Sequence, residues 1–228
     1  MKHITTVLLA TAAAVGLMSS AYAADLIIDE PAPVGVVDVS GSWDGAYIGV
    51  FAGAGWGFAD HNSGSPPGFP DGYDIDLSGW LLGVQVGANF TVGSGLVAGV
   101  VADAAWSNIE GDLVTGGAPG TITQTIHWIG TLRGKLGFDG GAFMPYLTGG
   151  LAVAGATRHS SGPDVEDTQT HIGWTVGAGV DFAVSEDVSV NLEYLYADLG
   201  EKEYDTGGIP PTVDLSTHQI RVGLNWRF

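Results

Sequence analysis

The stretch WLLGVQVGANF (residues 80–90) divides into two alternating sets. Trp80, Leu82, Val84, Val86, Ala88 and Phe90 are all apolar, while Leu81, Gly83, Gln85, Gly87 and Asn89 between them are mostly small or polar. Strict alternation over this length is the signature of a β-strand with one apolar face. The same period recurs in IGWTVGAGVDF (172–182) and VSVNLEYLY (188–196).

Working outward, eight such segments are predicted at 44–58, 76–92, 95–107, 122–138, 142–158, 170–184, 187–198 and 216–228. Several exceed the five or six residues of an ordinary strand. Their connections alternate in length. GSG (93–95), DGG (139–141) and SED (185–187) are short, whereas DHNSGSPPGFPDGYD (60–74), NIEGDLVTGGAPG (108–120), SSGPDVEDTQ (160–169) and GEKEYDTGGIPPTVDL (200–215) are long and polar. An even number of strands, with short turns at one end and long loops at the other, predicts an all-β fold: an eight-stranded antiparallel up-and-down transmembrane β-barrel. Closure satisfies the backbone groups that lipid cannot. Aromatic residues fall near the segment ends, at Trp43, Trp56, Phe58, Trp80, Phe90, Trp106, Trp128, Phe138, Trp174, Phe182, Trp226 and Phe228. That placement suits girdles at the two membrane interfaces.

Composition agrees with a membrane wall. The 228 residues carry a formal net charge of −18, yet only 14% are charged and mean hydropathy is +0.24. Soluble domains have about 25% charged residues. Beyond the N-terminus no run approaches 18 apolar residues, so the apolar surplus is distributed with period two. The opening MKHITTVLLATAAAVGLMSSAYA has a basic start, a short apolar stretch, and Ala21 and Ala23 at its end. This is the layout of a signal peptide, with cleavage expected after Ala23. Removing residues 1–23 takes one of seven basic residues and none of the 25 acidic ones, leaving −19. So acidic a chain is unsuited to nucleic acid, which needs clustered Lys and Arg. The absence of Cys excludes disulfides and thiolate metal sites. Residues 24–42 read as a periplasmic lead-in and 43–228 as the barrel, with both termini periplasmic and the long loops outside the cell.

GSW (41–43) also matches the G-x-W opening of lipocalins, soluble eight-stranded barrels. A soluble barrel needs a charged exterior. The polar faces here are mainly Gly, Ala, Thr and Asn, which suit the interior of a membrane barrel instead.

SWDGAYIGVFAGAGWG (42–57), SGWLLGVQVGANF (78–90), HWIGTLRGKLGF (127–138), PYLTGGLA (145–152) and the terminal GLNWRF (223–228) resemble a known family. It comprises the RopB-type, or outer-membrane immunogenic (porin-like), small barrels of α-proteobacteria, with an OmpA-like eight-stranded fold. The resemblance covers the chain after the signal peptide and departs in the third strand at Val101, where an acidic residue is common. It implies an abundant outer-membrane protein rather than an enzyme; a monomer among outer-membrane lipids and lipopolysaccharide is expected. Weak porin, adhesin and haem-binding roles occur within the family, and none follows from the barrel itself.

No catalytic motif is present: there is no G-x-S-x-G elbow, H-E-x-x-H pair or P-loop. No enzyme activity, cofactor or resident metal is expected. The inner face is predicted to carry Asp103, His127, Arg133, Lys135, Asp181, Glu193 and Arg221. An eight-stranded barrel is just wide enough for side chains, so these charges must pair, and Glu193 with Arg221 is the best-placed pair. A filled lumen makes the protein a structural and surface-interaction barrel; a selectivity-lined narrow channel is the alternative. His61, His159, His171 and His218 fall in or beside the long loops and are the candidates for haem capture. The same loops are acidic, at Asp71, Asp74, Asp76, Asp164, Glu166, Asp167, Glu201, Glu203 and Asp205, offset by Arg158 and Lys202. A solvated acidic surface is the simplest reading, and carboxylates bridged to lipopolysaccharide by Ca²⁺ or Mg²⁺ the alternative.

The chain ends on an alternating strand in which Val222, Leu224, Trp226 and Phe228 share one face. The resemblance implies that this ribbon is the strand signal read by the outer-membrane assembly machinery.

Overall fold

A computed structural model describes residues 43–61, 73–114, 121–160, 165–203 and 212–228. The expected signal peptide (1–23) and lead-in (24–42) lie outside them. Eight strands follow in order: β1 (Gly45–His61), β2 (Tyr73–Thr91), β3 (Leu96–Val114), β4 (Thr121–Phe138), β5 (Phe143–Ser160), β6 (Val165–Ala183), β7 (Val188–Glu203) and β8 (Thr212–Arg227). Each pairs antiparallel with its sequence neighbours, and β8 closes on β1 to complete the barrel. Closure ends with the Phe228 N–H donating to the Ala46 carbonyl at 3.0 Å.

The short turns are tied by their own polar groups. Asp139 Oδ1 accepts from the Gly141 N–H at 2.8 Å, and Ser185 Oγ from the Val188 N–H at 3.1 Å. Gly95 and Gly141 sit at φ +80°, where a side chain would be strained.

The strands are 16–19 residues long, well past the 9–11 or so that cross a bilayer. They run further toward the long connections than the alternation of a lipid-facing strand predicts, because the pattern inverts there. In mid-wall the outward residues are apolar and exposed: Val84, Val86, Val100, Leu132, Leu151, Val222. Nearer the long connections the apolar residues point inward. Ile75, Leu77, Ile109, Leu199, Val213 and Leu215 are buried, while Asp76, Glu110 and Asp198 between them face out. That portion has a polar exterior and an apolar filling, as a water-exposed sheet has. Read only for an apolar outer face, it looks like polar loop.

Two ladders stop early. Among the described residues, β2–β3 pairing ends at Ser78–Glu110 and β6–β7 pairing at Trp174–Asp198. By contrast β1–β2 continues to His61–Tyr73 and β5–β6 to Ser160–Val165. Past those rungs the wall is paired as two four-stranded sheets, and the inward apolar residues of both form one cluster.

Candidate functional site: the barrel interior

An eight-stranded barrel cannot hold a large side chain at every inward position. Here large inward residues face glycine directly across the ladder. Tyr47 pairs with Gly87, Phe51 with Gly83, Tyr146 with Gly179, Arg133 with Gly150, and Arg221 with Gly53. The first three glycines are covered by the rings: a methyl group built on Gly87, Gly83 or Gly179 would come within 2.5 Å of the facing ring. The 37 glycines of the chain therefore serve in part as floor space for the lumen side chains.

A layer of charge occupies the middle. Asp103 receives Arg133 Nη2 at 2.7 Å on Oδ2 and Arg221 Nη1 at 3.0 Å on Oδ1. Thr131 Oγ1 donates to Asp103 Oδ2 at 2.5 Å and accepts from Arg133 Nε at 2.8 Å. Arg133 Nη1 reaches Glu193 Oε1 at 2.7 Å, and the Tyr146 hydroxyl donates to the same oxygen at 3.2 Å. Arg221 is held from its other side by Gln219 Oε1, at 3.0 Å from Nε and 2.6 Å from Nη2, and lies over the Phe51 ring at 4.7 Å. Lys135 Nζ binds Asp181 Oδ2 at 2.5 Å and sits 3.9 Å from the centre of the Tyr146 ring. Gln85 Nε2 donates to Asn225 Oδ1 at 2.5 Å. Three carboxylates thus face three cations in one connected set, all of them nearly inaccessible to solvent. Ionic groups this deeply buried persist only when each has its counter-charge and its remaining hydrogen bonds. The gap left among Tyr47, Lys135, Tyr146, Asp181, Asn191 and Glu193 is about 10 Å³, room for roughly one water molecule.

Apolar layers bound the charges on both sides. Toward the long connections lie Leu81, Ile109, Ile126, Ile129, Ala154 and Leu199, all buried. At the short-turn end, Trp43 packs with Val97 and Met144. Its indole N–H donates to the Gly141 carbonyl at 3.2 Å, and the Arg227 guanidinium lies 4.9 Å over its ring. Trp43 is therefore an inward plug and not, as its place near a strand end suggests, a girdle residue.

The six inward charges Asp103, Arg133, Lys135, Asp181, Glu193 and Arg221 come together, but His127 does not join them. Against β5, His127 is an extra residue between Ile126–Ala156 and Trp128–Gly155, so it and Trp128 both face outward. A β-bulge resets which alternate positions point inward. The Ser107 hydroxyl donates to the Ile126 carbonyl beside this irregularity. The expected Glu193–Arg221 pair is also revised. The two are direct cross-strand partners, yet Glu193 bonds to Arg133 and Arg221 to Asp103, across the lumen.

The histidines are not grouped. His159 faces out from β5, His171 is fully buried on β6, and His218 lies among outward aromatic rings on β8. His61 ends β1, and its side chain is outside the described set. His171 and His218 fall within segments that the alternation marks as strand, while His61 and His159 join strands because β1 and β5 run longer than the apolar outer pattern indicates. For the same reason Asp74, Glu166, Asp167, Glu201 and Glu203 lie on strands, as Asp76 does within its expected segment, while Asp71, Asp164 and Asp205 are outside the described residues. Arg158 is buried in the wall, opposite Asp167 on β6. Inward Gln85, Thr131, Asn191, Gln219 and Asn225 were legible as polar members of alternating strands. Tyr47 and Tyr146 were hidden, because nothing local separates an inward aromatic from an outward one.

An exterior apolar band around a lumen filled by neutralised charge defines a class: integral outer-membrane β-barrels. The chain belongs to the family described as the outer membrane protein beta-barrel domain, whose model matches residues 9–228. It is 33% identical over 241 residues to the 31 kDa outer-membrane immunogenic protein of Brucella melitensis, covering 98% of this chain and 99% of that one. It is 31% identical to the 25 kDa outer-membrane immunogenic protein of Brucella abortus, over the whole of both chains. The 22 kDa outer membrane protein of Rhizobium leguminosarum is 32% identical over 84% of this chain and 81% of that protein. Among solved structures, the outer membrane protein OprG of Pseudomonas aeruginosa aligns over 84% of this chain and 99% of its own, with a TM-score of 0.49 at 15% identity.

Proposed function

We propose that this outer-membrane protein is a non-conducting structural and surface-interaction barrel, not a narrow channel or an enzyme. The observation that carries the reading is the three-layered lumen. A permeating ion would have to pass the Trp43 plug, displace matched ion pairs, and then cross a layer made mainly of Leu, Ile and Ala side chains, with Gln124, Arg158 and His171 buried among them. Desolvating an ion in such a layer costs several kcal/mol or more. The long connections, acidic in sequence, then face the exterior and both termini the periplasm. The length asymmetry of the connections supports that orientation.

Planar-bilayer recording of the refolded protein tests this function. No stable unitary steps are expected. Reproducible single-channel steps would overturn the reading in favour of a porin.

A further inference from the structure

On one half of the outer wall, aromatic rings from four successive strands form a continuous series. On β1, β8, β7 and β6, outward rings touch in series. Trp56 stacks on the His218 imidazole (centroids 5.8 Å, 12° between planes). His218 lies 5.1 Å from Tyr196, which meets Trp174 edge-on at 5.5 Å. The Tyr194 hydroxyl sits 2.7 Å from His218 Nδ1 and fixes the orientation of the imidazole. Trp56, Trp174 and Tyr194 remain substantially exposed.

Two features on either side of the rings state what would bind them. Polar groups gather on the side nearer the long connections, where Asp198 and Ser216 are cross-strand partners one outward position beyond Tyr196 and His218, and Asp214 follows Ser216 on β8. On the other side, Leu192, Ile220 and Val222 are exposed on the mid-wall face. A ligand matching both is an amphiphile with an acyl chain along Leu192 and Ile220 and a headgroup on the rings. Aromatic faces suit the C–H faces of a pyranose, and carboxylates accept hydrogen bonds from its hydroxyl groups. The same carboxylates repel a phosphate headgroup.

We infer that the Trp56–His218–Tyr196–Trp174 surface is a binding site for a glycolipid, with its sugar on the rings and its acyl chain on the wall beside them. Only the assignment of the outer leaflet as the source rests on the proposed orientation; binding in detergent is independent of it.

The test is native mass spectrometry of the full barrel in detergent micelles. The probes are monoglucosyl diacylglycerol and a phosphatidylglycerol with the same acyl chains. Preferential retention of the glycolipid is expected, falling at least tenfold in Tyr196→Ala and in His218→Ala. Trp106→Ala, which removes an exposed tryptophan from β3 across the barrel, should leave retention unchanged. Each variant is compared after its heat-modifiable mobility shows a folded barrel. Trp174→Ala, at the end of the ring series, replaces any that does not fold. Equal retention of the two lipids, or an equal loss in Trp106→Ala, would overturn the inference. So would capture of free maltose as tightly as the glycolipid, since the site would then be indifferent to a lipid tail.

Discussion

Glu193 and Arg221 stand opposite one another on β7 and β8, yet each completes its charge pairing with a residue from β3 or β4. Arg133 takes Glu193, and Asp103 takes Arg221 as well as Arg133. Asp103 is thus the shared anion of two arginines. Replacing it with Ala leaves both without their common carboxylate and should cost about 3–5 kcal/mol. Glu193→Gln should cost less, because Arg133 keeps Asp103 and Thr131. Urea unfolding of the two variants in lipid vesicles measures the order, and a larger loss for Glu193→Gln would contradict it.

The pairing of glycine with large inward residues predicts where the wall tolerates a methyl group. At Gly87 a Cβ would lie 2.4 Å from the Tyr47 ring and 2.7 Å from the Val100 carbonyl oxygen. Gly87→Ala should therefore destabilise the barrel by about 1–3 kcal/mol through overpacking. At Gly93, in a short turn, nothing lies within 4 Å, and Gly93→Ala should leave unfolding unchanged. Similar midpoints for the two variants would refute the crowding argument.

Trp43→Ala removes a buried indole from the short-turn mouth. The lost packing should cost about 3–5 kcal/mol. Two sealing layers remain above the cavity, so the variant should still show no unitary conductance in planar bilayers. If it conducts, the apolar layer toward the long connections is not the barrier assigned to it.

Deleting Phe228 separates assembly from stability. Phe228 is 77% exposed, and its backbone contributes one hydrogen bond to the Ala46 carbonyl, worth about 0.5–1.5 kcal/mol net. The purified deletion should refold in detergent as a heat-modifiable barrel. In cells it should accumulate unassembled and degraded, as expected if Val222, Leu224, Trp226 and Phe228 form the assembly signal. Normal assembly in cells would reduce Phe228 to a packing group.

Protease applied to intact cells reads the orientation. Cleavage is expected within 62–72 or 204–211, the longer connections between the strand ends. Cutting confined to 92–95 or 139–142 would place the short turns outside.

Alternation along the chain determined the strand number, the antiparallel meander and the lipid-facing set, because side-chain direction in a strand depends only on parity. It also marked Asp103, Arg133, Lys135, Asp181, Glu193 and Arg221 as inward. Parity is a local property that a bulge resets, as at His127, and where the surroundings change from lipid to water the apolar residues move to the other face while parity itself is kept. On β8 the apolar residues change parity, with Val213 and Leu215 on the odd, inward face and Val222 and Leu224 on the even, outward face. Only the closed barrel decided which charges meet, since Glu193 on β7 reaches Arg133 on β4, and Arg221 on β8 reaches Asp103 on β3, through the lumen and not along any ladder. It also decided that Tyr47 and Tyr146 turn inward, because the glycines that make room for them stand on the adjacent strands.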